Sequence, residues 1–595
     1  MKMHKGMTNL EIAELLRAVA AAYEIENKDK NKFRIIAYDK AADAVEHASS
    51  ELKDLWDENK LEEIPGIGES ISNYLGEIFK TGNSKHFESI LNDYPPQVFE
   101  LMAIPGIGAK SAIKLTRNLN IGEKNPFSDL EKAAHNKEIE KLQDFGKESQ
   151  EDILKELKSF KKRKKRYLLP YADEVAEELI AWLKESKLVK RVDKLGSLRR
   201  KVSTIGDIDL SAATENPNEV IEHFTKYPKI QRIIEKGDRK ASVILPSGVQ
   251  VDLRVQPVSS YGSLLQHFTG SKHHNIALRE YALKKNLSLS EYGIKKKGSR
   301  KIIKFENEED FYIYLDLQWI PPELREDTGE IDRARLSNKT LPKLIELKNV
   351  RADLQIHSDF DIETSHDLGL SSMEDIVDKA NSLRYEYVAF TEHNPSKSKH
   401  SENEIINIIE KKKETIDHIN TSYVKSVKGS LKHVYNSLEI DILPDGSLPL
   451  KDQALEILDF ALVSIHSSFK MSKLDMTKRV LNALSHPKVK IFAHPTGRKL
   501  GSREGIELDW DKIFDFCIKN DKWLEINGDP MRLDLPDYLV KDAVEKGVYL
   551  TLGTDAHHAD HMDNMFYGVS VARRGWAEKR NIINTKSFED FNKLI

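Results

Sequence analysis

The stretch Leu195-Gly-Ser-Leu-Arg-Arg-Lys-Val-Ser-Thr-Ile-Gly-Asp-Ile-Asp-Leu210 decides how the first half of this chain is interpreted. Its last residues alternate between polar and apolar types, as in a β-strand, so Asp207 and Asp209 are expected to project from one face. Two carboxylates held side by side repel each other, and a divalent cation between them removes that cost. The Gly-Ser turn lets the backbone approach an anion, and Arg199 and Arg200 can bind phosphate oxygens in a forked geometry. The stretch therefore predicts metal-assisted phosphoryl or nucleotidyl transfer.

A third carboxylate lies on a neighbouring strand-like run. Asp252 falls within Ser-Gly-Val-Gln-Val-Asp-Leu-Arg-Val, residues 247–255, whose apolar residues alternate as in a strand. Taken alone, this aspartate is better interpreted as an exposed residue beside a turn. Together with Asp207 and Asp209, it predicts a site for two ions, one at the attacking oxygen and one at a triphosphate.

The composition bounds the class of protein. With 595 residues, of which 39% are hydrophobic and 32% charged, the chain is long enough for several globular cores. Its net charge of −4 means that binding to nucleic acid depends on local basic surfaces. The single cysteine, Cys517, excludes a disulfide framework and is expected to be buried. Without a signal peptide or a stretch of transmembrane length, we expect a cytoplasmic protein that does not contact membranes.

Residues 8–160 are predicted to be almost entirely helical, and they contain an internal duplication. The motif Ile-Pro-Gly-Ile-Gly occurs at 64–68 and again at 104–108, each time ahead of a helical pattern. Glycines in a tight turn before a helix leave backbone N–H groups free to meet a phosphate. One copy is equally consistent with a plain helix connector, but two copies favour helix-hairpin-helix motifs that bind the DNA backbone without reading its sequence. The predicted DNA-binding residues are Gly66, Gly68, Gly106, Gly108 and Lys110.

The pattern Gly-Ser-x-Arg-Arg…Gly-Asp-x-Asp, followed by Asp252 and by Phe268-Thr-Gly-Ser271, resembles the palm of the family X DNA polymerases, the relatives of polymerase β. The resemblance covers about the first half of the chain and implies DNA synthesis from dNTPs on gapped or primer-template DNA. It implies that Asp207, Asp209 and Asp252 are catalytic and hold Mg²⁺ or Mn²⁺, and that Asp252 also helps activate the primer 3′-hydroxyl. Where the family has a tyrosine that excludes ribose, this chain has His267, so sugar selectivity stays open. The implied nucleotide-binding residues are Gly196, Ser197, Arg200, Gly206, His267, Phe268, Thr269, Gly270 and Asn275.

The segment Phe33-Arg-Ile-Ile-Ala-Tyr-Asp-Lys-Ala-Ala42 resembles the N-terminal domain of polymerase β. That domain binds a 5′-phosphate across a gap and removes a deoxyribose phosphate through a lysine. In this chain the position of that lysine falls on Tyr74, and the position of a phosphate-binding lysine falls on Ser70. Because a tyrosine cannot form a Schiff base, the resemblance implies gap binding without lyase activity by that route.

In the second half of the chain, His, Glu and Asp residues follow apolar strand-like runs at six places. In a barrel of parallel strands the strand ends converge on one face, where catalytic groups collect. Histidine together with carboxylates suits Zn²⁺ or Mn²⁺, and several such ions can polarise a phosphodiester and supply hydroxide. The six runs are Asp353–His357, Val388–His393, Ser437–Asp441, Ala461–His466, Ile491–His494 and Leu552–His557.

This arrangement resembles the PHP (polymerase and histidinol phosphatase) domain, a seven-stranded barrel that holds up to three metal ions. Behind a family X polymerase, the domain implies 3′→5′ exonuclease or related phosphoesterase activity. The resemblance extends through Glu525-Ile-Asn527 and spans nearly all of residues 350–575. It assigns one ion to His357, Glu439 and Asp555, a second to Glu439, His466 and His494, and a third to His393 and His557.

Two ligand positions of the PHP pattern are changed in this chain. Gln355 stands where the pattern has histidine, and Ile362 stands where it has aspartate. Glutamine is a weaker ligand than imidazole for a borderline metal. The third ion would need Asp359, Asp361 or Glu363 as a replacement ligand. The sequence thus leaves two alternatives open: an active nuclease, or a degenerate PHP domain that is structural or binds DNA.

The sequence as a whole predicts a multidomain fold, with an all-α helix-hairpin-helix region, an α/β nucleotidyltransferase palm and a C-terminal distorted (β/α)7 PHP barrel. We expect a monomer that fills short gaps in DNA repair. The alternative function is nucleotidyl transfer to a protein, tRNA or small molecule, which the DNA-directed hairpins disfavour. The expected boundaries are 1–90 for the N-terminal helical domain, 91–165 for a fingers-type subdomain, 166–262 for the palm, 263–328 for a nucleotide-facing subdomain, 329–349 for a linker and 350–595 for the PHP domain.

Overall fold

The computed structural model describes residues 1–595 apart from 1–2, 5–6, 8, 47–51, 58–59, 65, 105, 163–165 and 426–428. Within this part, helices come first, a mixed α/β unit follows, and strands alternating with helices complete the chain. This is the order that the sequence pattern predicts. None of the described helices is both long and apolar enough to cross a membrane.

The N-terminal region is helical, as its amphipathic pattern predicts. Its helices are α1 (Asn9–Asn27), α2 (Lys32–Glu46), α3 (Leu52–Asp57), α4 (Glu69–Thr81), α5 (Lys85–Leu91), α6 (Pro96–Leu101), α7 (Ala109–Asn118), α8 (Pro126–His135) and α9 (Lys147–Lys162). In α4, the side chains of Ile71, Leu75 and Ile78 are buried at the spacing that one face of a helix requires. Such faces form two hydrophobic clusters, one within residues 7–87 and one within residues 98–157.

The palm is a five-stranded sheet covered by two helices. Its elements are β1 (Tyr167–Leu168), α10 (Leu169–Glu185), β2 (Arg191–Lys194), α11 (Gly196–Arg199), β3 (Thr204–Ile205), β4 (Ile208–Ala213), α12 (Pro217–Phe224), β5 (Arg232–Lys236), β6 (Lys240–Ile244) and β7 (Gln250–Gln256). The strand order is β2-β4-β7-β6-β5, with β4 and β7 parallel and the other pairs antiparallel. Helices α10 and α12 bury their apolar faces on this sheet in one hydrophobic cluster.

The nucleotide-facing subdomain packs beside the palm. It contains α13 (Tyr261–Thr269), α14 (Lys272–Lys284), the antiparallel strands β8 (Leu287–Ser290), β9 (Gly293–Lys296) and β10 (Ile302–Ile303), α15 (Glu308–Tyr314) and α16 (Glu330–Arg333). Helix α16 lies in the segment predicted to be a linker. Its Glu330 is fully buried and lies 2.6 Å from Nδ1 of His274 in α14. The buried carboxylate of Glu330 needs His274 as its partner, so the start of the predicted linker is anchored to the subdomain.

The C-terminal half contains parallel strands alternating with helices. The elements are β11 (Ala352–Ile356), α17 (Met373–Ser382), β12 (Tyr387–Phe390), α18 (Glu402–His418), β13 (His433–Asn436), β14 (Glu439–Asp441), α19 (Asp452–Leu455), β15 (Ala461–Ser464), α20 (Lys473–Leu484), β16 (Val489–Phe492), α21 (Trp510–Asn520), β17 (Trp523–Asn527), α22 (Asp537–Lys546), β18 (Leu550–Gly553), α23 (Met565–Arg574) and α24 (Phe588–Phe591). The strands form two parallel sheets, β11-β12-β13 and β14-β15-β16-β17-β18.

Local contacts join these two sheets into a distorted barrel. Two residues separate β13 from β14, so these segments act as one broken strand, and seven strand positions result. On the other side, the backbone N–H of Asp555 donates to the carbonyl of Gln355 at 3.0 Å, and that of His357 donates to the carbonyl of Ala556 at 2.8 Å. The predicted histidine-bearing strand ends therefore meet at one end of the barrel.

Candidate active sites

The three palm carboxylates occupy adjacent positions on two parallel strands. Asp209 in β4 is the register partner of Asp252 in β7, and Asp207 immediately precedes β4. Burial and the negative charges of Asp207 and Asp252 raise the pKa of Asp209 to about 7. Gln250 donates to both oxygen atoms of Asp252, at 3.1 and 3.3 Å. The three acids thus lie in or next to two neighbouring strands, and their mutual repulsion is what a divalent cation would relieve.

The Gly-Ser turn approaches the catalytic strand closely. Gly196 has φ +55°, and a Cβ atom at this position would collide with a carboxylate oxygen of Asp209. Only glycine lets the first turn of α11, which includes Ser197, lie this near the acids. Gly206 lies between β3 and β4, where a Cβ atom would be 3.4 Å from Nη1 of Arg166.

The two arginines of the motif are held by carboxylates of the nucleotide-facing subdomain. Arg199 donates through Nη1 and Nη2 to Glu308, at 3.1 and 2.9 Å. Arg200 donates through Nε to Glu326 at 3.0 Å and through Nη1 to the carbonyl oxygen of Thr269 at 2.5 Å. Arg199 therefore joins α11 to the subdomain, whereas Arg200 is paired with a carboxylate that an incoming anion would have to displace.

The predicted nucleotide pocket lies at the junction of α13 and α14. The guanidinium of Arg254 stacks over the ring of Phe268 at 3.9 Å, and a Cβ atom on Gly270 would be 3.2 Å from Nη1 of Arg200. Asn275 donates to the carbonyl oxygen of His267 at 2.7 Å. Burial lowers the pKa of His267, so the residue in the place of the family's tyrosine is a neutral ring near pH 7. The structure thus brings Phe268, Gly270 and Asn275 to this junction, with Gly270 next to Arg200.

The two hairpins have the same backbone geometry. Gly66 and Gly106 adopt φ of +97° and +86°, and Gly68 and Gly108 are the N-caps of α4 and α7. No atom lies within 4 Å of a Cβ built on Gly68, Gly106 or Gly108, so the N-termini of both helices are open. Lys110 is exposed in the first turn of α7, and Pro65 and Pro105 lie outside the described residues. Open helix N-termini suit contact with phosphate.

Tyr74, at the position of the family's lyase lysine, is a packing residue. Its ring stacks on His86 with 4.0 Å between centroids and contacts Phe87 edge-on at 5.5 Å. Tyr74 therefore provides a stacked aromatic ring at this position, where a Schiff base would need an amine.

The barrel end brings the predicted PHP residues together. Ligand atoms of His357, Glu439 and Asp555 lie within 4.8 Å of one another, and so do those of Glu439, His466 and His494. Glu439 is common to both groups and lies 2.8 Å from Nε2 of His494. Among the described residues, groups with all ligand atoms within 4.8 Å of one another occur only in the barrel. The carboxylate oxygens of the three palm acids are therefore farther apart than the ligand atoms of these groups.

The predicted pair His393 and His557 has further histidine neighbours. His393 and His557 group with His357, and His393 also groups with His466 and His366. The Nε2 atom of His366 lies 2.9 Å from Asp441, whose other oxygen lies 2.7 Å from His466.

The expected replacement ligands are not in these groups. Glu363 pairs with His400 at 3.3 Å, Asp361 accepts from the backbone of Glu363, and Asp359 is absent from the groups that the described residues form. Ile362 is fully buried in the main hydrophobic cluster of the barrel, so it is a core residue. His366 could not be predicted from the sequence, because its position in a long loop carries no periodic signal. Its only indication was the presence of a histidine nine residues after His357.

Gln355 occupies the changed ligand position as a hydrogen-bonding residue. It is fully buried, donates through Nε2 to Glu439 at 2.8 Å and accepts from Asn527 at 3.3 Å. The amide of Gln355 therefore positions the carboxylate of Glu439, which is common to two ligand groups. Rotation of this amide would direct its oxygen, in place of its nitrogen, toward Glu439.

The charges of this site suit metal binding. Burial opposes protonation of His357, but the carboxylates of Asp555 and Glu439, at 3.2 and 3.3 Å from its Nε2 atom, raise its pKa to about 10. In the same way Asp441 and Glu439 raise the pKa of His466 to about 9 against burial. Cations, whether protons or metal ions, are thus favoured among these carboxylates.

Buried nitrogen atoms supply a second indication of metal binding. Nδ1 atoms of His357, His393 and His494 are buried without a hydrogen-bond partner. Native proteins rarely leave buried polar atoms unpaired, and a metal ion is one partner that removes the cost. The donor set of imidazole and carboxylate fits Zn²⁺ or Mn²⁺.

A buried ion pair supports the strand end that carries His393. Glu392 accepts from the hydroxyl of Ser358 at 2.5 Å and pairs with Lys412 at 2.5 Å, and both charged groups are buried. Lys412 also donates to the carbonyl oxygen of Phe390 at 3.0 Å. Glu392 is therefore paired behind the site, directly before His393.

Comparisons with known proteins agree with this domain order. The family described as "DNA polymerase beta thumb" matches residues 264–326, "Helix-hairpin-helix domain" matches 7–84, and "SAM-like Helix-hairpin-helix tandem" matches 98–159. A "Probable phosphatase" of Caldicellulosiruptor saccharolyticus is 29% identical over 133 residues, which are 21% of this chain and 53% of that protein.

Longer matches are found among polymerases. "DNA polymerase lambda" of Rattus norvegicus is 24% identical over 353 residues, covering 53% of this chain and 56% of that protein. "DNA polymerase/3'-5' exonuclease PolX" of Bacillus subtilis is 33% identical over 595 residues, covering 100% of this chain and 99% of that protein. With this similarity over its full length, and with the matches to the thumb and helix-hairpin-helix models, the chain belongs to the family X DNA polymerases.

Proposed function

We propose that this chain is a DNA-directed DNA polymerase that fills short gaps and carries a metal-dependent 3′→5′ exonuclease in its PHP domain. The convergence of Asp207, Asp209 and Asp252 beside the Gly196 turn is the observation that carries the first activity. The likeness to a relative named as both polymerase and exonuclease supports the pair of activities. A cytoplasmic location and a monomeric state are part of this proposal.

In the proposed polymerase site, the palm acids would hold two Mg²⁺ or Mn²⁺ ions. When bound, the ions would supply positive charge for the attacking oxygen and the triphosphate. Asp252 would draw the proton from the primer 3′-hydroxyl, Arg200 would bind triphosphate oxygens, and Phe268 and Asn275 would position the sugar and base. The open helix N-termini at Gly68 and Gly108 would bind DNA phosphates on both sides of the gap.

In the proposed exonuclease site, the barrel-end histidines and carboxylates would hold Zn²⁺ or Mn²⁺. When bound, the ions would polarise the terminal phosphodiester and supply hydroxide. We propose His366 as the ligand that replaces the family's aspartate, because it lies with His393 and His466 on the side of the site where Asp441 orients it. This assignment favours an active nuclease over a degenerate domain.

A gapped-duplex assay with and without dNTPs tests both activities in one protein. Wild type should extend the primer with dNTPs and shorten the 3′ end without them. D207A/D209A should lose extension and keep degradation, whereas H466A should show the reverse. Extension by D207A/D209A at the wild-type rate would exclude the palm as the site of synthesis.

Metal analysis tests the His366 assignment independently of activity. H366A should bind fewer Zn²⁺ or Mn²⁺ ions per chain than wild type by native mass spectrometry, because one site loses a ligand. The matched control is H400A, since His400 pairs with Glu363 outside the ligand groups. Equal metal content in H366A, H400A and wild type would refute the assignment, and an absence of metal from wild type would favour the degenerate-domain alternative.

A further inference from the structure

Helix α23 of the PHP domain is shared with the palm. On its barrel side, a Cβ atom on Gly568 would lie 3.4 Å from Leu552 in β18 and 3.7 Å from the carbonyl oxygen of Ile526 in β17. On its other side, Tyr567 packs against the hydrophobic cluster of the palm, and Nζ of Lys201 lies 4.9 Å from the centroid of Phe566. One helix therefore contacts both the barrel strands that lead to the metal ligands and the unit that holds the palm acids.

Arg574, the last residue of α23, reaches the arginine of the nucleotide site. Its Nη1 atom donates to the main-chain oxygen of Arg200 at 2.7 Å and to Oε1 of Glu326 at 3.0 Å. The same Oε1 atom accepts from Nε of Arg200 at 3.0 Å. Asp537 binds the far side of Arg574, at 2.8 Å from Nε and 2.6 Å from Nη2. One carboxylate oxygen is thus shared by two guanidinium groups, one from each domain.

The burial of this network makes its geometry specific. The Arg574 side chain is 8% exposed and that of Arg200 is 13% exposed. A partly desolvated ion pair is stronger than an exposed one, and loss of one partner leaves the other charge uncompensated. The strength of the ion pair between Glu326 and Arg200 therefore affects how readily Arg200 can bind another anion.

We infer that Arg574 is a positioning residue of the polymerase nucleotide site and acts through Glu326 on Arg200. The inference rests on the proposed function, in which Arg200 binds the triphosphate. Glu326 and a triphosphate compete for one guanidinium group, and Arg574 takes up part of the hydrogen-bonding capacity of Glu326. Without Arg574, Glu326 is free to form a paired contact with Arg200, so a triphosphate has to displace a stronger ion pair. The PHP domain thereby sets the dNTP affinity of the palm.

The test is the R574Q variant of the full-length chain in single-nucleotide incorporation on gapped DNA. We expect the KM for dNTP to rise about tenfold, which corresponds to about 1.4 kcal/mol, with kcat changed less than about twofold. R574K keeps the charge but loses the forked geometry, so its KM should be intermediate. The matched control is R573Q, because Arg573 binds Glu323 at 2.7 Å and the carbonyl oxygen of Ile345 at 2.8 Å without contacting Arg200. R573Q should keep the wild-type KM.

A double-mutant cycle shows whether the effect passes through Glu326. In an E326Q background, R574Q should raise the KM by a clearly smaller factor than in the wild-type background. Equal KM values for R574Q and R573Q, or an R574Q effect that is the same with and without Glu326, would overturn the inference. If R574Q does not fold, D537N removes only the far anchor of Arg574, and a wild-type KM for D537N would overturn the inference equally. Failure of the proposed function itself would be distinct, because wild type would then incorporate no templated nucleotide.

Discussion

The E308Q substitution tests the ion-pair centre that joins the palm to the nucleotide-facing subdomain. Glu308 is 3% exposed and accepts from Arg325 at 2.6 Å, from Arg199 at 2.9 Å and from the indole of Trp319 at 2.9 Å. Burial by itself would raise the pKa of Glu308, but the charges and hydrogen bonds of Arg325 and Arg199 lower the pKa from 4.5 to about 2.

The free energy at stake follows from this shift. Each pKa unit corresponds to about 1.36 kcal/mol, so the fall from 4.5 to about 2 corresponds to about 3 kcal/mol of folding free energy at pH 7. Because the folded-state pKa of Glu308 lies below the unfolded value, this stabilisation is complete above pH 4.5 and is lost as the pH falls toward 2. Glutamine removes the charge at every pH and leaves Arg325 buried without a counter-charge, so we expect a loss of about 3 kcal/mol.

Hydrogen exchange measured by mass spectrometry gives the free energy of opening of α13–α15 directly. The control is E309Q, because Glu309 is the adjacent glutamate of α15 and is exposed. At pH 7, E308Q should lower the opening free energy by about 3 kcal/mol, whereas E309Q should change it by less than about 0.5 kcal/mol. Equal protection in the two variants would refute the view that the buried pairs stabilise this subdomain.

Three further predictions concern the turns and the metal centre. G196A should abolish primer extension, because a methyl group at this position collides with a palm carboxylate. G106A should weaken binding to gapped DNA about fivefold in a titration, because the φ of +86° at this position costs an alanine about 1 kcal/mol. G146A is the control and should leave binding unchanged, because Gly146 has no positive φ and open space around it. Because neighbouring carboxylates raise the pKa values of His357 and His466 to about 10 and about 9, we expect both rings to be protonated at pH 7.5 in the metal-free protein, and metal binding there should release about two protons. Calorimetry in buffers of different ionisation enthalpy counts these protons, and a value near zero would contradict the charge assignment.

Several candidate residues of the polymerase half could be predicted from the sequence alone. Gly196, Arg200, Asp207 and Asp209 lie within one short stretch, and strand alternation places both acids on one face. The sequence predicts glycine at position 196 for the approach of an anion, whereas the structure requires it because a Cβ atom there would collide with Asp209. The paired hairpins were predictable for the same reason, since each is a local motif that directly precedes its helix.

The PHP site could be predicted only where strands carry its ligands. His466 and His494 follow buried strands, and periodicity indicates where those strands end. The loop after β11 has no such pattern, so Asp359, Asp361 and Glu363 were as reasonable candidates as His366 until the path of the loop was known. The burial of Ile362 could not be predicted for the same reason, because only the packing of the loop reveals that this side chain faces the hydrophobic core.

The sequence by itself predicted the family, the order of the domains, the palm acids and most of the candidate metal ligands, because these depend on local spacing. Only the tertiary structure decided which side chains from distant parts of the chain meet. Arg574 contacts the main chain of Arg200 across 374 positions, and His366 contacts Asp441 across 75. Such contacts depend on how loops and domains pack, and packing energy is distributed over many apolar residues that carry no specific motif.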